Sequence, residues 1–128
     1  MALTIADFDD TILPYNIIKE TALSGSGGGT ATSHIDVTQG ESGKLYYISA
    51  QNADNAQRYL KIAMTATTVV VGTTNADIVV PIPAGGDIQW SMPEGIDFTV
   101  LSMWCVTSEA VGGTAAPSAA VAVTLLTD

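Results

Sequence analysis

Three carboxylates crowd one short stretch near the start of the chain. The segment ADFDDTILP, residues 6 to 14, carries Asp7, Asp9 and Asp10. Such a cluster could hold a divalent cation weakly, because hard cations take oxygen ligands, or it could be no more than solvated charge. Other residues with chemical potential are few. His34 is the only histidine and Cys105 the only cysteine. A zinc site or a catalytic triad needs a second histidine or an acid at a set spacing. Neither accompanies His34, which reads as a partly exposed residue at a strand start. Cys105 follows Trp104 in the most apolar segment. It reads as a small buried hydrophobe, since a reactive thiolate needs neighbouring cations. The stretch IPAGGD, residues 82 to 87, lacks the GxxxxGK[ST] order of a phosphate cradle and reads as a tight turn. These residues predict no catalytic group, no metal site and no cofactor, and therefore no enzyme.

One motif argues against that exclusion and has to be weighed. Asp7-Phe8-Asp9-Asp10-Thr11 resembles the nucleophile motif of the haloacid-dehalogenase-like phosphatases. The resemblance implies attack on phosphorus by Asp7 and protonation of the leaving group by Asp9. That family also needs a downstream Ser or Thr and a Lys for the phosphoryl group, and later acids for Mg²⁺. A parallel sheet with crossover helices brings those loops together. Here the lysines stand at 19, 44 and 61, and the chain beyond residue 24 reads as strand and turn. The aspartates are therefore read as a solvated acidic segment.

Composition narrows the partners. Of 128 residues 47% are apolar and only 13% charged, which speaks against intrinsic disorder and for a single domain with a largely neutral surface. The net charge is −9, with Lys19, Lys44, Arg58 and Lys61 the only cations. Nucleic-acid binding draws its affinity from Lys and Arg on phosphates, and four scattered cations cannot supply that footprint. Anionic membranes are disfavoured for the same reason. No apolar run approaches the ~18 residues of a membrane span. The N-terminus shows no basic region followed by an apolar stretch, so synthesis and folding in a cytoplasm are expected.

The elements divide near Gly29. Residues 1 to 23 are apolar without a sustained period, interrupted by Pro14, and lead into SGSGGGT at 24 to 30. Residues 1–29 are read as an arm and Gly-rich linker, with a short helix possible over 15 to 23. Residues 30–128 are read as a β-sandwich domain. Strands are predicted at 33–38, 44–51, 57–65, 68–72, 77–83, 87–92, 96–107 and 119–127, separated by turn residues such as NADNA, AGG and PEG. About eight strands with turns every 8 to 12 residues make an antiparallel sandwich of jelly-roll type. Pro81 and Pro83 place their strand at a sheet edge. The strand at 96–107 is apolar on both faces and is expected to be covered on both.

The aromatic residues divide by phase. Trp90 alternates with Ile88 and Met92, and Trp104 with Phe98 and Val100, so both tryptophans are expected in the core. Tyr46, or its neighbour Tyr47, must face away from the core, and Tyr59 falls opposite Leu60. Such tyrosines favour interfaces, having an apolar body and a polar tip.

Residues 44 to 128 together resemble a group of small tailed-phage virion proteins. The pieces that carry the resemblance are Arg58-Tyr59-Leu60-Lys61-Ile62, Ile82-Pro83-Ala84-Gly85-Gly86, Gly95-Ile96-Asp97-Phe98 and the closing run Val121 to Leu126. It implies a jelly-roll-like sandwich on the outer surface of a phage head, acting as a cement (decoration) protein. The partners implied are the major capsid protein and other copies of the same chain, as a trimer rather than a dimer. A receptor- or glycan-binding knob of a tail or fibre is the alternative. The arm lies outside the resemblance. Its apolar residues Ile5, Phe8, Ile12, Leu13, Tyr15, Ile17 and Ile18 are expected, with Tyr46 and Tyr59, to contact a partner. The opposing expectation is that the arm pairs with its own sandwich as an extra strand.

Overall fold

The computed structural model describes residues 3–7, 15–21, 23 and 33–128, with backbone alone at 5–7. The described residues form nine strands: β1 (Leu3–Asp7), β2 (Asn16–Glu20), β3 (Ser33–His34), β4 (Gly43–Asn52), β5 (Arg58–Ala63), β6 (Ile78–Ile82), β7 (Asp87–Phe98), β8 (Ser102–Val106) and β9 (Val121–Thr127). They make a five-stranded sheet in the order β1-β2-β9-β4-β7 and a four-stranded sheet in the order β3-β8-β5-β6, every described pairing antiparallel. Counted from β2 as the first, the sheets read 1-8-3-6 and 2-7-4-5. From β2 onward, successive strands cross between the sheets, except β5 and β6, which are neighbours in one sheet, in the manner of a jelly roll. The all-β sandwich expected from the turn spacing is the fold observed.

Strand alternation builds the core. Along β9, Val121, Val123, Leu125 and Thr127 are buried while the residues between them are half-buried. Along β4 the buried set is Leu45, Ile48, Ala50 and Asn52. Facing them across the sandwich are Leu60 and Ile62 of β5, Val80 and Ile82 of β6, and Met103 and Cys105 of β8, in one contiguous cluster. A second apolar cluster lies around the other side chains of the four-stranded sheet. There Ala63, Trp104 and Val106 meet Val69, Ala116 and the half-buried Tyr59, Val71 and Ala76. The single strand expected over 96–107 is divided: residues 96–98 end β7 in one sheet, the chain bends at 99–101, and β8 starts in the other sheet. All five residues of β8 are buried, so the expected cover on both faces holds for that part alone. Burial pushes the Cys105 thiol up to about 12. Native protein is therefore expected to resist iodoacetamide at pH 8 and to react only after unfolding in urea, which mass spectrometry of the alkylated chain would read.

The structure corrects several expectations. The run TVVVG at 68–72 is a turn-rich loop rather than a strand. Its valines look like strand residues because they pack, but Val69 and Val71 pack as part of a lid over β8. Only Ser33–His34 of the segment 33–38 forms strand. The chain then turns through Asp36 and Gln39, both at positive φ, and leaves Ile35 exposed. The turn expected at 93–95 is instead an irregularity inside β7. Leu45 pairs with Ile96 and Tyr47 with Ser91, so residues 92–95 stand opposite Tyr46 alone. Gly95 sits there at a φ of 74°, and a Cβ on it would lie 2.8 Å from both Lys44 Cβ and Tyr46 Cε1. A side-chain-free residue is needed at that position.

Trp90 is the largest correction. It pairs with Ile48 and so shares the core-facing side of its sheet, as its phase predicts. Yet it is 43% exposed, whereas Trp104 is 1% exposed. Phase fixes the face of a strand, not its place in the sheet, and β7 is an edge strand.

The N-terminal residues also join the sandwich. β2 lies between β1 and β9, pairing Ile18 with Leu125 and Ile17 with Leu126. This is the extra-strand disposition, and it replaces the helix considered over 15 to 23. Ile18 is fully buried and Leu23 nearly so. The Glu20 carboxylate is buried as well, with its Oε2 2.7 Å from Nε2 of the half-buried His34. That contact ties β2 in one sheet to β3 in the other.

Candidate functional site

The two sheets differ in how their outer faces are covered. The four-stranded sheet carries the loops 64–77 and 107–120 on its outer face, where they complete the second apolar cluster. Lys61 is buried beneath them and donates from Nζ to the Ala110 carbonyl at 2.9 Å, its pKa lowered by burial. Among the described residues, nothing comparable covers the outer face of the five-stranded sheet.

That open face is apolar at one end. The register aligns Ile17, Leu126 and Tyr47 across three strands, all half-buried. Next to them run Lys19, Thr124 and Ser49, also paired in register. These side chains line a shallow groove of about 320 Å³. Beyond it the rings of Tyr15 and Tyr46 meet edge to face with centroids 5.4 Å apart. The Tyr46 hydroxyl donates to Asp128 Oδ2 at 3.1 Å, and Lys44 N donates to Asp128 Oδ1 at 2.7 Å. Partial burial and the nearby Asp128 carboxylate both raise the Tyr46 pKa. Lys44 Nζ closes the patch with a 2.8 Å ion pair to Asp97, which raises its own pKa.

Of the residues expected to contact a partner, the structure brings Tyr15, Ile17 and Tyr46 together on this face. Tyr59 is elsewhere, half-buried in the second cluster, its hydroxyl accepting from Gln57 Nε2 at 2.9 Å. Ile18 faces the core and is corrected from a contact residue to a core residue, because β2 alternates and only its odd positions face outward. Ile5 is paired in register with Ile18. Phe8, Ile12 and Leu13 lie outside the described residues, as do Asp9 and Asp10. Sequence alone does not single out Leu126, and it offers Tyr47 only as an alternative to Tyr46. The irregularity at Leu45/Tyr47 lets both tyrosines face outward, and the β9 alternation V-x-V-x-L-L could have flagged Leu126.

A second polar cluster secures the loops at one end of the sandwich. The buried Asp54 carboxylate accepts from Arg58 Nε at 2.8 Å, from Ser118 N at 2.8 Å and from Ser118 Oγ at 2.9 Å. Buried Asn52 places its Nδ2 2.9–3.1 Å from the carbonyls of Ala56, Ile82 and Pro83. The Arg58 guanidinium, with the Ser118 and Asn55 donors, holds the Asp54 carboxyl well below the usual carboxylate range. A carboxylate with a depressed folded-state pKa contributes stability above its unfolded pKa, and that contribution is lost as pH falls toward the folded value. Asp54→Asn is therefore expected to lower the urea midpoint at pH 7, with the difference from wild type shrinking below pH 4.

Among the described residues no group of three or more His, Cys, Asp or Glu is placed to hold a metal ion.

No family model and no curated protein matches the chain. Similar solved structures include the Tobacco streak virus coat protein, at 9% identity over 89% of this chain and 85% of that one, with a TM-score of 0.37. A protein of Bacillus endospore appendages, described as disulfide-linked pili, is 12% identical over 99% of this chain and 90% of that one, with a TM-score of 0.39. The Escherichia coli ribosomal oxygenase YcfD is 14% identical over 90% of this chain, with a TM-score of 0.36. The chain spans only 23% of the length of that oxygenase. The expectation that this chain is not an enzyme is withdrawn on this last finding, since an enzyme stands among its structural neighbours. A likeness of this degree assigns no activity, and it assigns no assembly role either.

Proposed function

We propose that this chain is a structural protein of a virus particle. In finer terms, it coats the outside of a tailed-phage head and bridges neighbouring major capsid subunits. The observation that carries the reading is the asymmetry of the sandwich: one sheet is covered on both faces, while the other presents Tyr15, Ile17, Tyr46, Tyr47 and Leu126 outward. The resemblance of residues 44 to 128 to small phage virion proteins supports the identity of the partner.

The physical role follows from added interface. A shell under internal pressure fails where subunits part. A stiff sandwich docked across such a seam adds buried area there, and a stable contact buries about 800 Å² on each partner. Tyrosines at the centre of that contact would carry much of its energy, with the aliphatic residues around them excluding water. Copies repeated over the shell raise the barrier to rupture.

The test is co-sedimentation of the purified protein with capsids of the encoding phage. The double substitution Tyr47→Ser and Leu126→Ser is expected to weaken capsid binding at least tenfold while the urea midpoint stays close to wild type. Unaltered capsid binding by that folded variant would refute the docking face.

A further inference from the structure

The edge of β7 is a different surface from the open sheet face, and it has its own chemistry. β7 pairs with β4 on one side, and among the described residues nothing pairs with its other side. An unpaired edge presents backbone donors and acceptors to whatever strand comes next. The irregularity at 92–95, with Pro93 lacking an N–H, limits the regular open stretch to Asp87-Ile88-Gln89-Trp90-Ser91. Within it, Ile88 and Trp90 share the face that looks toward the sandwich interior, while Asp87, Gln89 and Ser91 share the opposite one.

We infer that this edge accepts an extended segment of another protein as an added strand, one in which apolar and basic residues alternate. Residues paired across neighbouring strands lie on the same face. An added strand would therefore set its apolar residues beside Ile88 and the exposed Trp90, extending the core at its open side. Its alternate residues would lie beside Asp87, which is exposed, and exposed Glu94 stands just beyond the stretch, in the irregular segment. Among the described residues neither acid forms an ion pair, in contrast to Asp97, which is held by Lys44. Cations on the incoming strand match them. A second copy of this chain fits poorly: each copy carries a net charge of −9, and joining two β7 edges would bring their acids together.

The probe is a capped seven-residue peptide of alternating Lys and Val, titrated against the full chain at low and high salt. Two controls are the same peptide with Glu for Lys, and with Pro for Val, which keeps the charge but cannot pair as a strand. Tryptophan fluorescence reads the contact, since Trp90 is exposed and Trp104 is buried. The Lys–Val peptide is expected to bind at least tenfold more tightly than either control and to shift the emission to the blue. Trp90→Ala is expected to weaken binding at least tenfold, as measured by calorimetry. Asp87→Asn with Glu94→Gln is expected to weaken it and to remove most of its salt dependence. Both variants alter exposed side chains, and an unchanged urea midpoint confirms that each is folded. Equal binding of the Pro peptide would show charge attraction without strand addition and overturn the inference. So would equal binding of the Glu peptide, no binding of the Lys–Val peptide, or self-association in sedimentation that Trp90→Ala abolishes. None of these results bears on capsid docking through Tyr47 and Leu126, which face away from Trp90.

Discussion

Trp104→Ala is expected to destabilise the protein by about 3–5 kcal/mol, while Trp90→Ala leaves stability nearly unchanged. The two residues are identical in type and differ only in where their strands sit. Trp104 is 1% exposed in a strand buried on both faces, against Val69, Val106 and Ala116. Its removal leaves a cavity that cannot collapse without moving both covering loops. Trp90 overhangs an edge, so its loss opens no enclosed space. Urea unfolding of the two variants, followed by far-UV circular dichroism, gives both midpoints. A domain of this size has about 5–15 kcal/mol of total stability, so the first substitution removes a large part of it. Equal costs for the two tryptophans would contradict the assigned topology of β7 and β8.

Removing residues 1–23 is expected to abolish folding rather than release a folded sandwich. β2 supplies Ile18 and Glu20 to the interior, and Leu23, fixed by its N–H to the Val121 carbonyl at 2.8 Å, adds a third buried side chain. Truncating one buried aliphatic residue costs about 2–5 kcal/mol, so losing Ile18 and Leu23 together approaches the whole stability. The deletion would also strip β9 of one neighbour and expose its edge. The truncated chain should show no cooperative urea transition and poor amide dispersion. Ile18→Ala is the milder companion, with an expected loss of about 2–5 kcal/mol. A truncated chain that unfolds cooperatively near the wild-type midpoint would restore the view of residues 1–23 as a separate arm.

The sequence made most of the sandwich legible where alternation and turn chemistry agreed. β4, β5, β6 and β9 fall within a residue or two of the strands read from Leu45, Leu60, Val80 and Val123. What it hid were properties set by tertiary neighbours. Asn16–Glu20 holds too few alternations to announce β2, and its burial becomes visible only beside β9. Val69 and Val71 carry strand propensity, yet they serve as a lid because the outer face of β8 needs cover. Trp90 had the right face and the wrong depth. For the candidate site, Tyr15, Ile17 and Tyr46 were legible as interface types. Their gathering with Tyr47 and Leu126 depends on an irregular register at Leu45/Tyr47 that no alternation pattern encodes.

The most direct test of the proposed virion role is the copy number of this chain in purified particles of the encoding phage. Quantitative mass spectrometry would measure it against the major capsid protein. The account predicts a ratio near that of the capsid protein, with the chain lost from particles when Tyr47 and Leu126 are replaced by serine. A trace ratio, or absence from particles, would contradict it.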